Sequence, residues 1–347
     1  MRPLVLPALL VAACGGSPSS SGSPDAPGPI DAPRPVDAGP DAPPPTVRFA
    51  VLGDTGEGNT AQYDVGRAIK TICDRAGGCD FALLLGDNIY DDGVTSTTDS
   101  QWQTKFEMPY APLTMPIYAV LGNHDYGGQV LLIDAPGVGN EWAKGPIEVM
   151  YTDVSDKWEM PATHYTIKHG NVGIIALDTN SILWDNTMFG DQRAWYPTAL
   201  MELDGVDWKI AAGHHPYRSN GQHGNAGNYD APELLGIPVP NPLPIVGGGD
   251  LKDFFDDVVC GTVDLVVSGH DHNRQWLDEP TALCGAELII SGAGAKNTGF
   301  QDRGNAFHYQ DDQKPGFLLV EVTGKRLTGR FYDRTGALDF ERTITKP

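Results

Sequence analysis

Seven short apolar runs, rich in β-branched residues, each end in glycine and polar residues. They are VRFAVLGDTG (47–56), FALLLGDNIY (81–90), PIYAVLGNHD (116–125), NVGIIALDT (171–179), WKIAAGHHP (208–216), VDLVVSGHDH (263–272) and ELIISGAGA (287–295). Unbroken apolar runs of this length read as strands buried on both faces. Helical stretches separate several of them, for example around 60–75 and 250–260. That alternation predicts an α/β layered domain. A closing pair, GFLLVEVTG (316–324) and LTGRFYDRTG (327–336), predicts a β-hairpin. No second linker interrupts the pattern, so residues 47–347 are expected to form one domain. The chain of 347 residues is long for one domain but fits a single large α/β unit.

The region before that domain has a different character. Residues 15–46 hold ten of the 28 prolines and repeat Asp-Ala-Pro at Asp25, Asp31 and Asp41. Such a stretch buries no apolar surface and is expected to be a disordered linker, reaching about 100 Å at ~3.1 Å per residue when extended. Residues 1–14 begin with Arg2 and continue as an apolar run to Val11, Ala12, Ala13 and Cys14. They resemble a bacterial lipoprotein signal, with Cys14 as the lipidated residue; an ordinary secretory signal is the alternative. Gly15, where an Asp would favour inner-membrane retention, points to outer-membrane sorting, so the chain is expected in the periplasm or at the cell surface. No apolar run reaches the ~18 residues a membrane span needs. The other four cysteines are Cys73, Cys79, Cys260 and Cys284. An even number in an oxidising compartment suggests two disulfides. Proximity along the chain alone pairs Cys73 with Cys79 and Cys260 with Cys284; four free buried thiols are the alternative.

The net charge is −21, and removing the two Arg and four Asp of residues 1–45 leaves −19. The acidity therefore belongs to the folded domain. A nucleic-acid surface is not expected, because phosphate backbones need clustered Lys and Arg. Membrane contact is expected only through Cys14. Nothing marks an oligomer, and a monomer is favoured.

Five strand ends carry potential metal ligands: Asp54; Asp87 with Tyr90; Asn123 with His124; His214; and His270 with His272. In open α/β sheets, ligands bind beyond the carboxyl ends of strands. Singly, each motif is weak, since an Asp after a strand usually caps the next helix. Together, five strands offering oxygen and nitrogen donors at one edge point to a metal centre. There is no Cys-x5-Arg, Arg-His-Gly, Gly-x-Ser-x-Gly or His-Glu-x-x-His motif for other hydrolytic chemistries. The GAGA run at 292–295 reads as a close-packed turn, since no Lys-Ser/Thr pair follows it.

GDTG, GDNIY, GNHD, AAGHHP and SGHDH resemble, in that order, the five blocks of the purple acid phosphatase branch of the metallophosphoesterases, nearest the small tartrate-resistant type. The discriminating residue is Tyr90, three residues after Asp87. General metallophosphoesterases carry a histidine two residues after the first aspartate, and Gly56 stands there here. The resemblance implies a single-domain β-sandwich of two mixed sheets flanked by helices. It implies that Asp54, Tyr90 and His272 hold one metal, that Asn123, His214 and His270 hold a second, and that Asp87 bridges both. A phenolate suits Fe(III), and the second site suits Zn, Fe(II) or Mn. Bound cations would neutralise phosphoryl oxygens, and a metal-bound hydroxide would attack phosphorus.

His124 and His223 are the candidate catalytic histidines, either one protonating the leaving alkoxide. Asp125 is expected to orient His124. His215 either contacts substrate or packs. His164, His169 and His308 are expected to be structural or surface residues. The expected function is hydrolysis of small phosphate monoesters. The alternatives are a phosphodiesterase or nucleotidase on the same site, and a non-catalytic metal-binding surface protein.

Overall fold

Residue alternation explains why the apolar runs are continuous. Ile174 and Ile210 face one buried cluster, while their neighbours Ile175 and Ala211 face another. Successive side chains of a strand point to opposite faces, so a strand covered on both sides needs apolar residues at every position. The computed structural model describes residues 45–230, 244–279, 282–301 and 303–347, together with the short strands 30–31, 233–234 and 237–238. The leader with Cys14, and all of the expected linker except Ile30–Asp31, Pro45 and Thr46, lie outside the described residues. Ile30 and Asp31 pair in parallel with Ile167 and Lys168, so the expected free linker makes one short edge contact.

Two mixed sheets pack face to face. In the first, β1 (Thr46–Leu52), β2 (Phe81–Leu85) and β3 (Ile117–Val120) run parallel, and the short β4 (Trp158–Glu159) extends them. The second sheet contains β5 (Tyr165–His169), β6 (Val172–Ala176), β7 (Trp208–Gly213), β8 (Leu265–Ser268), β9 (Arg274–Leu277), β10 (Glu287–Ser291) and β11 (Phe307–Asp311). Strands β6, β7, β8 and β10 are mutually parallel there. The chain then returns to the first sheet. β12 (Gly316–Thr323) pairs antiparallel with β1, β13 (Arg326–Asp333) pairs with β12, and β14 (Leu338–Thr345) closes the edge. The predicted hairpin is therefore the first two strands of a three-stranded meander. Leu52, Leu84 and Val120 meet Ile174, Ile210 and Val267 in one core between the sheets.

Helices cover the outer faces. α1 (Thr60–Arg75) starts at Asn59, whose side chain accepts from the Gln62 amide. Val65, Ile69 and Ile72, at helical spacing, are buried in the core. The Cys73–Cys79 disulfide ties the end of α1 to the entry of β2, and a second disulfide joins Cys260 to Cys284. α2 (Gly145–Tyr151), α3 (Thr179–Leu183) and α4 (Gln192–Glu202) lack a strong sequence signal, and α4 even contains Pro197.

β9 is hidden for another reason. Its residues Arg274, Gln275 and Trp276 are buried, and two of the three are polar. The Arg274 guanidinium lies 2.9 Å from Asp311 of β11 and 2.9 Å from Asp339 of β14. It is therefore an ionic clamp between the two sheets.

Candidate metal centre

The parallel strands of both sheets end at the same rim, and the turns beyond them carry the predicted donors. These turns are tight. Asp54, Asp87 and His270 adopt φ of 58°, 52° and 68°, a left-handed conformation that non-glycine residues rarely take. Such strain persists only where surrounding structure fixes it, and it gathers at functional sites. The glycines beside these donors allow close approach. A Cβ on Gly122 would sit 2.2 Å from Asp87 Oδ1, and one on Gly269 would sit 2.6 Å from Asp54 Oδ2.

The donors fall into two groups. In the first, Tyr90 Oη lies 3.0 Å from Asp54 Oδ1, 2.7 Å from Asp87 Oδ2 and 3.2 Å from His272 Nε2. In the second, His214 Nε2 lies 3.0 Å from Asn123 Oδ1, 3.1 Å from His270 Nδ1 and 3.4 Å from Asp87 Oδ1. Asp87 thus gives one carboxylate oxygen to each group. All seven predicted ligands converge here, and only His272 among them is more than marginally open to solvent.

Proton bookkeeping tests whether cations fit. His214 Nδ1 donates to the Leu85 carbonyl at 2.8 Å, which turns Nε2 toward the site. The Asn123 amide nitrogen donates to the Gly137 carbonyl at 2.8 Å, which turns its oxygen to the site. His214 Nε2 therefore faces an amide oxygen and a carboxylate oxygen, and either a proton on the imidazole or a cation must lie between them. In the other group the one phenol proton can serve only one of two carboxylate oxygens, Asp54 Oδ1 and Asp87 Oδ2. Buried lone pairs pointed at one another are costly, and a cation at each group is the partner that satisfies them. His270 Nε2, His272 Nδ1 and His215 Nε2 are further buried ring nitrogens with no hydrogen-bond partner among the described residues.

The electrostatics agree. Burial, then the charges of Asp54 and Asp87, push the Tyr90 phenol well above its usual range. In the protein alone it keeps its proton, and a strong Lewis acid is needed to displace it. Burial opposes ionisation of Asp87, but the neighbouring His214 and His124 outweigh it and hold the carboxyl below its ordinary value. His270 is driven well down, by burial first and by the surrounding histidines next, so it is a neutral donor.

His124 and His223 flank the donors differently. The His124 amide donates to Asp87 Oδ1 at 2.9 Å, and its Nδ1 donates to the Asp91 carbonyl at 2.6 Å. The His223 ring stacks on His270 with centroids 4.0 Å apart, and its Nδ1 lies 2.6 Å from Asp230 Oδ2. Burial alone would lower the His223 pKa; the Asp230 hydrogen bond and the Asp271 charge outweigh burial and raise it.

Asp125 does not orient His124. Its carboxylate accepts from the amides of Asn88 at 2.7 Å, Ile89 at 3.1 Å and Gly122 at 2.7 Å. It therefore joins the Asp87–Tyr90 turn to the Asn123 turn, while the Asp91 carbonyl holds His124. Burial, then the Asp87 charge, raises Asp125, and buried Glu148 behind it is raised well above its usual range. His215 Nδ1 lies 2.9 Å from Thr179 Oγ1, and its ring centroid is 4.5 Å from that of His270. One of its ring nitrogens lies within 4.8 Å of ring nitrogens of His214 and His270. His169 pairs with Asp80 and His308 with Asp278, both far from this rim in the fold, and His164 is buried beside Trp195.

Several partners had no signature in the sequence. Thr179 Oγ1 accepts from the amides of both His214 and His215, at 3.1 and 3.0 Å. Asp271 accepts from the His223 amide at 2.8 Å. Lys296 Nζ stands 3.3 Å over the Tyr90 ring centre and 2.6 Å from Glu57.

A two-sheet sandwich with a His/Asp centre at its strand ends defines a metal-dependent phosphoesterase. Residues 47–274 match the calcineurin-like phosphoesterase family, and the chain belongs to that family. Its relatives there include purple acid phosphatases and tartrate-resistant acid phosphatases. Purple acid phosphatase 3 of Arabidopsis thaliana is 29% identical over 308 residues, covering 84% of this chain and 75% of that one. Tartrate-resistant acid phosphatase type 5 of Homo sapiens is 26% identical, covering 88% and 93%. Among solved structures, GAP50, the anchor in the inner membrane complex of Plasmodium, matches with a TM-score of 0.61 at 20% identity, over 86% of this chain and 89% of that one. That likeness shows the fold alone.

Proposed function

We propose that the chain is an exported acid phosphatase that hydrolyses small phosphate monoesters at a binuclear metal centre. The observation that carries this reading is Asp87, with one oxygen in the Tyr90 group and the other in the His214 group. Asp54, Tyr90 and His272 would hold Fe(III). Asn123, His214 and His270 would hold a divalent Zn, Fe or Mn ion, and Asp87 would bridge the two. When bound, the ions supply Lewis-acid neutralisation of the phosphoryl oxygens and activation of water.

The chain's own residues do the rest. Asp125 fixes the spacing of the two ligand turns. His124, held at Nδ1 by the Asp91 carbonyl, is fixed beside the donors and positions the phosphate. His223, whose raised pKa favours imidazolium in mild acid, is the general acid for the leaving alkoxide. Asp230 orients its ring and compensates its charge. The curated relatives' names, and the match of their length to this chain, support the monoesterase reading.

Two disulfides support export to an oxidising compartment. We assign Cys14 as the acylated residue of an outer-membrane lipoprotein, with residues 15–46 as linker and 47–347 as catalytic domain. Intact mass of the mature protein checks the acyl group.

The test of function is a paired assay on metal-reconstituted protein, comparing a chromogenic phosphomonoester with the matching diester from pH 4 to 9. Monoester turnover peaking in acid is the expected result. Diester preference or a neutral optimum would overturn the substrate assignment. No turnover with both metals bound would make the chain a non-catalytic member of its fold.

A further inference from the structure

The turn that supplies Asn123 and His124 continues into a hairpin whose tip has no place in the metal chemistry. Gln129–Val130 pairs antiparallel with Ile133–Asp134, leaving Leu131 and Leu132 as the turn. Leu131 is 90% exposed, Leu132 93%, Ile133 70% and Val130 40%. Four consecutive apolar residues thus stand in water. Leu131 and Leu132 adopt φ of 51° and 65°, as a two-residue turn with both central residues left-handed requires. Asn-Gly is the favoured sequence for that turn. Two leucines there oppose the local preference in order to display apolar side chains.

The base of the hairpin is firmly held. The Gly128 amide donates to Asp92 at 3.0 Å, the Ala135 amide donates to the Gly128 carbonyl at 2.8 Å, and the Gly137 carbonyl accepts from Asn123. A Cβ on Gly137 would lie 2.7 Å from His124 Nε2. The hairpin therefore rises from the rim of the metal centre.

The occupant follows from shape and charge. Val130 and Ile133 form one cross-strand pair and the turn residues Leu131 and Leu132 are almost fully exposed, so the tip beyond the Gln129–Asp134 pair carries apolar side chains alone. A groove on a protein covers one face of a hairpin; a bilayer covers a projecting tip all round. Residues 127–143 contain no Lys or Arg, while Asp134 and Glu141 flank the tip, in a domain of net charge −19. An anionic lipid surface would repel this edge, and a zwitterionic one would not. Residues 15–29, ahead of the Ile30–Asp31 edge contact, would tether the domain to the proposed Cys14 anchor within reach of such a surface.

We propose that Val130, Leu131, Leu132 and Ile133 insert into a zwitterionic bilayer surface and set the metal centre facing it. This surface does not depend on the phosphatase reading, and its test requires no turnover. The full chain carrying Cys14→Ser, so that no acyl group contributes, is mixed with phosphatidylcholine vesicles and sedimented. The expected result is partition that falls at least tenfold in the Leu131→Asp/Leu132→Asp variant and is unchanged in Met201→Asp, an exposed apolar position on α4. Leu132→Trp is expected to shift its emission to the blue on vesicle addition and to be quenched by lipids brominated in the acyl chain. Circular dichroism shows that each variant is folded. Absence of partition by the Cys14→Ser chain, or equal partition of the aspartate variant, overturns the proposal. So does a dimer that the aspartate variant dissolves without any vesicle binding, which would assign the tip to a second copy of the chain.

Discussion

The two sheets contribute different chemistry to the same rim. The first supplies oxygen: Asp54, Asp87, Tyr90 and Asn123 follow β1, β2 and β3. The second supplies nitrogen: His214 follows β7, and His270 and His272 follow β8. Neither sheet alone has a complete donor set for either cation group, since each group mixes oxygens from one with imidazole from the other. The centre exists only when the sandwich has closed. Metal affinity should therefore report on sheet–sheet packing as well as on the ligands themselves.

The largest break in this arrangement is Asp87→Asn, which keeps the shape but removes the charge shared between groups. Activity is expected to fall about a thousandfold, a loss of several kcal/mol, and elemental analysis should show both metals depleted. A variant retaining both metals would refute the bridge. Tyr90→Phe alters the oxygen side more narrowly. The visible charge-transfer absorption expected of the proposed Tyr90–Fe(III) pair should vanish while the fold, followed by circular dichroism, persists; persistence of the band would remove Tyr90 from the ligand set. His223→Asn is expected to lower kcat on poor leaving groups by roughly a hundredfold. Activated aryl phosphates should be affected much less, and equal loss on both classes would argue against a general-acid role.

Arg274→Met probes the clamp between the sheets without touching a donor. Removing one partner of a buried ion pair costs about 3 to 5 kcal/mol, and the loss should appear in urea unfolding. If closure governs the centre, apparent metal affinity should weaken in the same variant. The smallest effect concerns pH. Burial lowers His164 to about 4, so this ring is neutral in the fold but gains a proton near pH 6.5 when unfolded. Its contribution is complete above pH 6.5 and is lost as pH falls toward 4, by up to about 3 kcal/mol. His164→Gln should flatten that part of the stability profile.

The sequence made the donors legible for a physical reason. Each sits where an apolar run stops at a glycine, and a strand end is the one place where a short polar residue must leave the sheet. The same logic located β1, β2, β3, β6, β7, β8 and β10. It could not find β9, because a buried arginine and glutamine there look like a loop until Asp311 and Asp339 are in place. Thr179 was invisible because its work is to accept from backbone amides, and no residue pattern announces that. Asp125 was read from its neighbour His124 in sequence, but its three amide partners come from turns brought together only by the parallel pairing of β2 and β3.

The missing space beside the donors has a consequence for evolvability. With Gly122 against Asp87 and Gly269 against Asp54, a single added methyl group has nowhere to go. New substrate preferences cannot accumulate by side-chain replacement in these turns. They must arise at a distance, in segments whose length and composition are free to drift, such as the hairpin after His124 and the loop around His223. Diversification of this scaffold should consequently read as insertions and deletions between invariant strand ends, and libraries aimed at new esters should randomise those loops first.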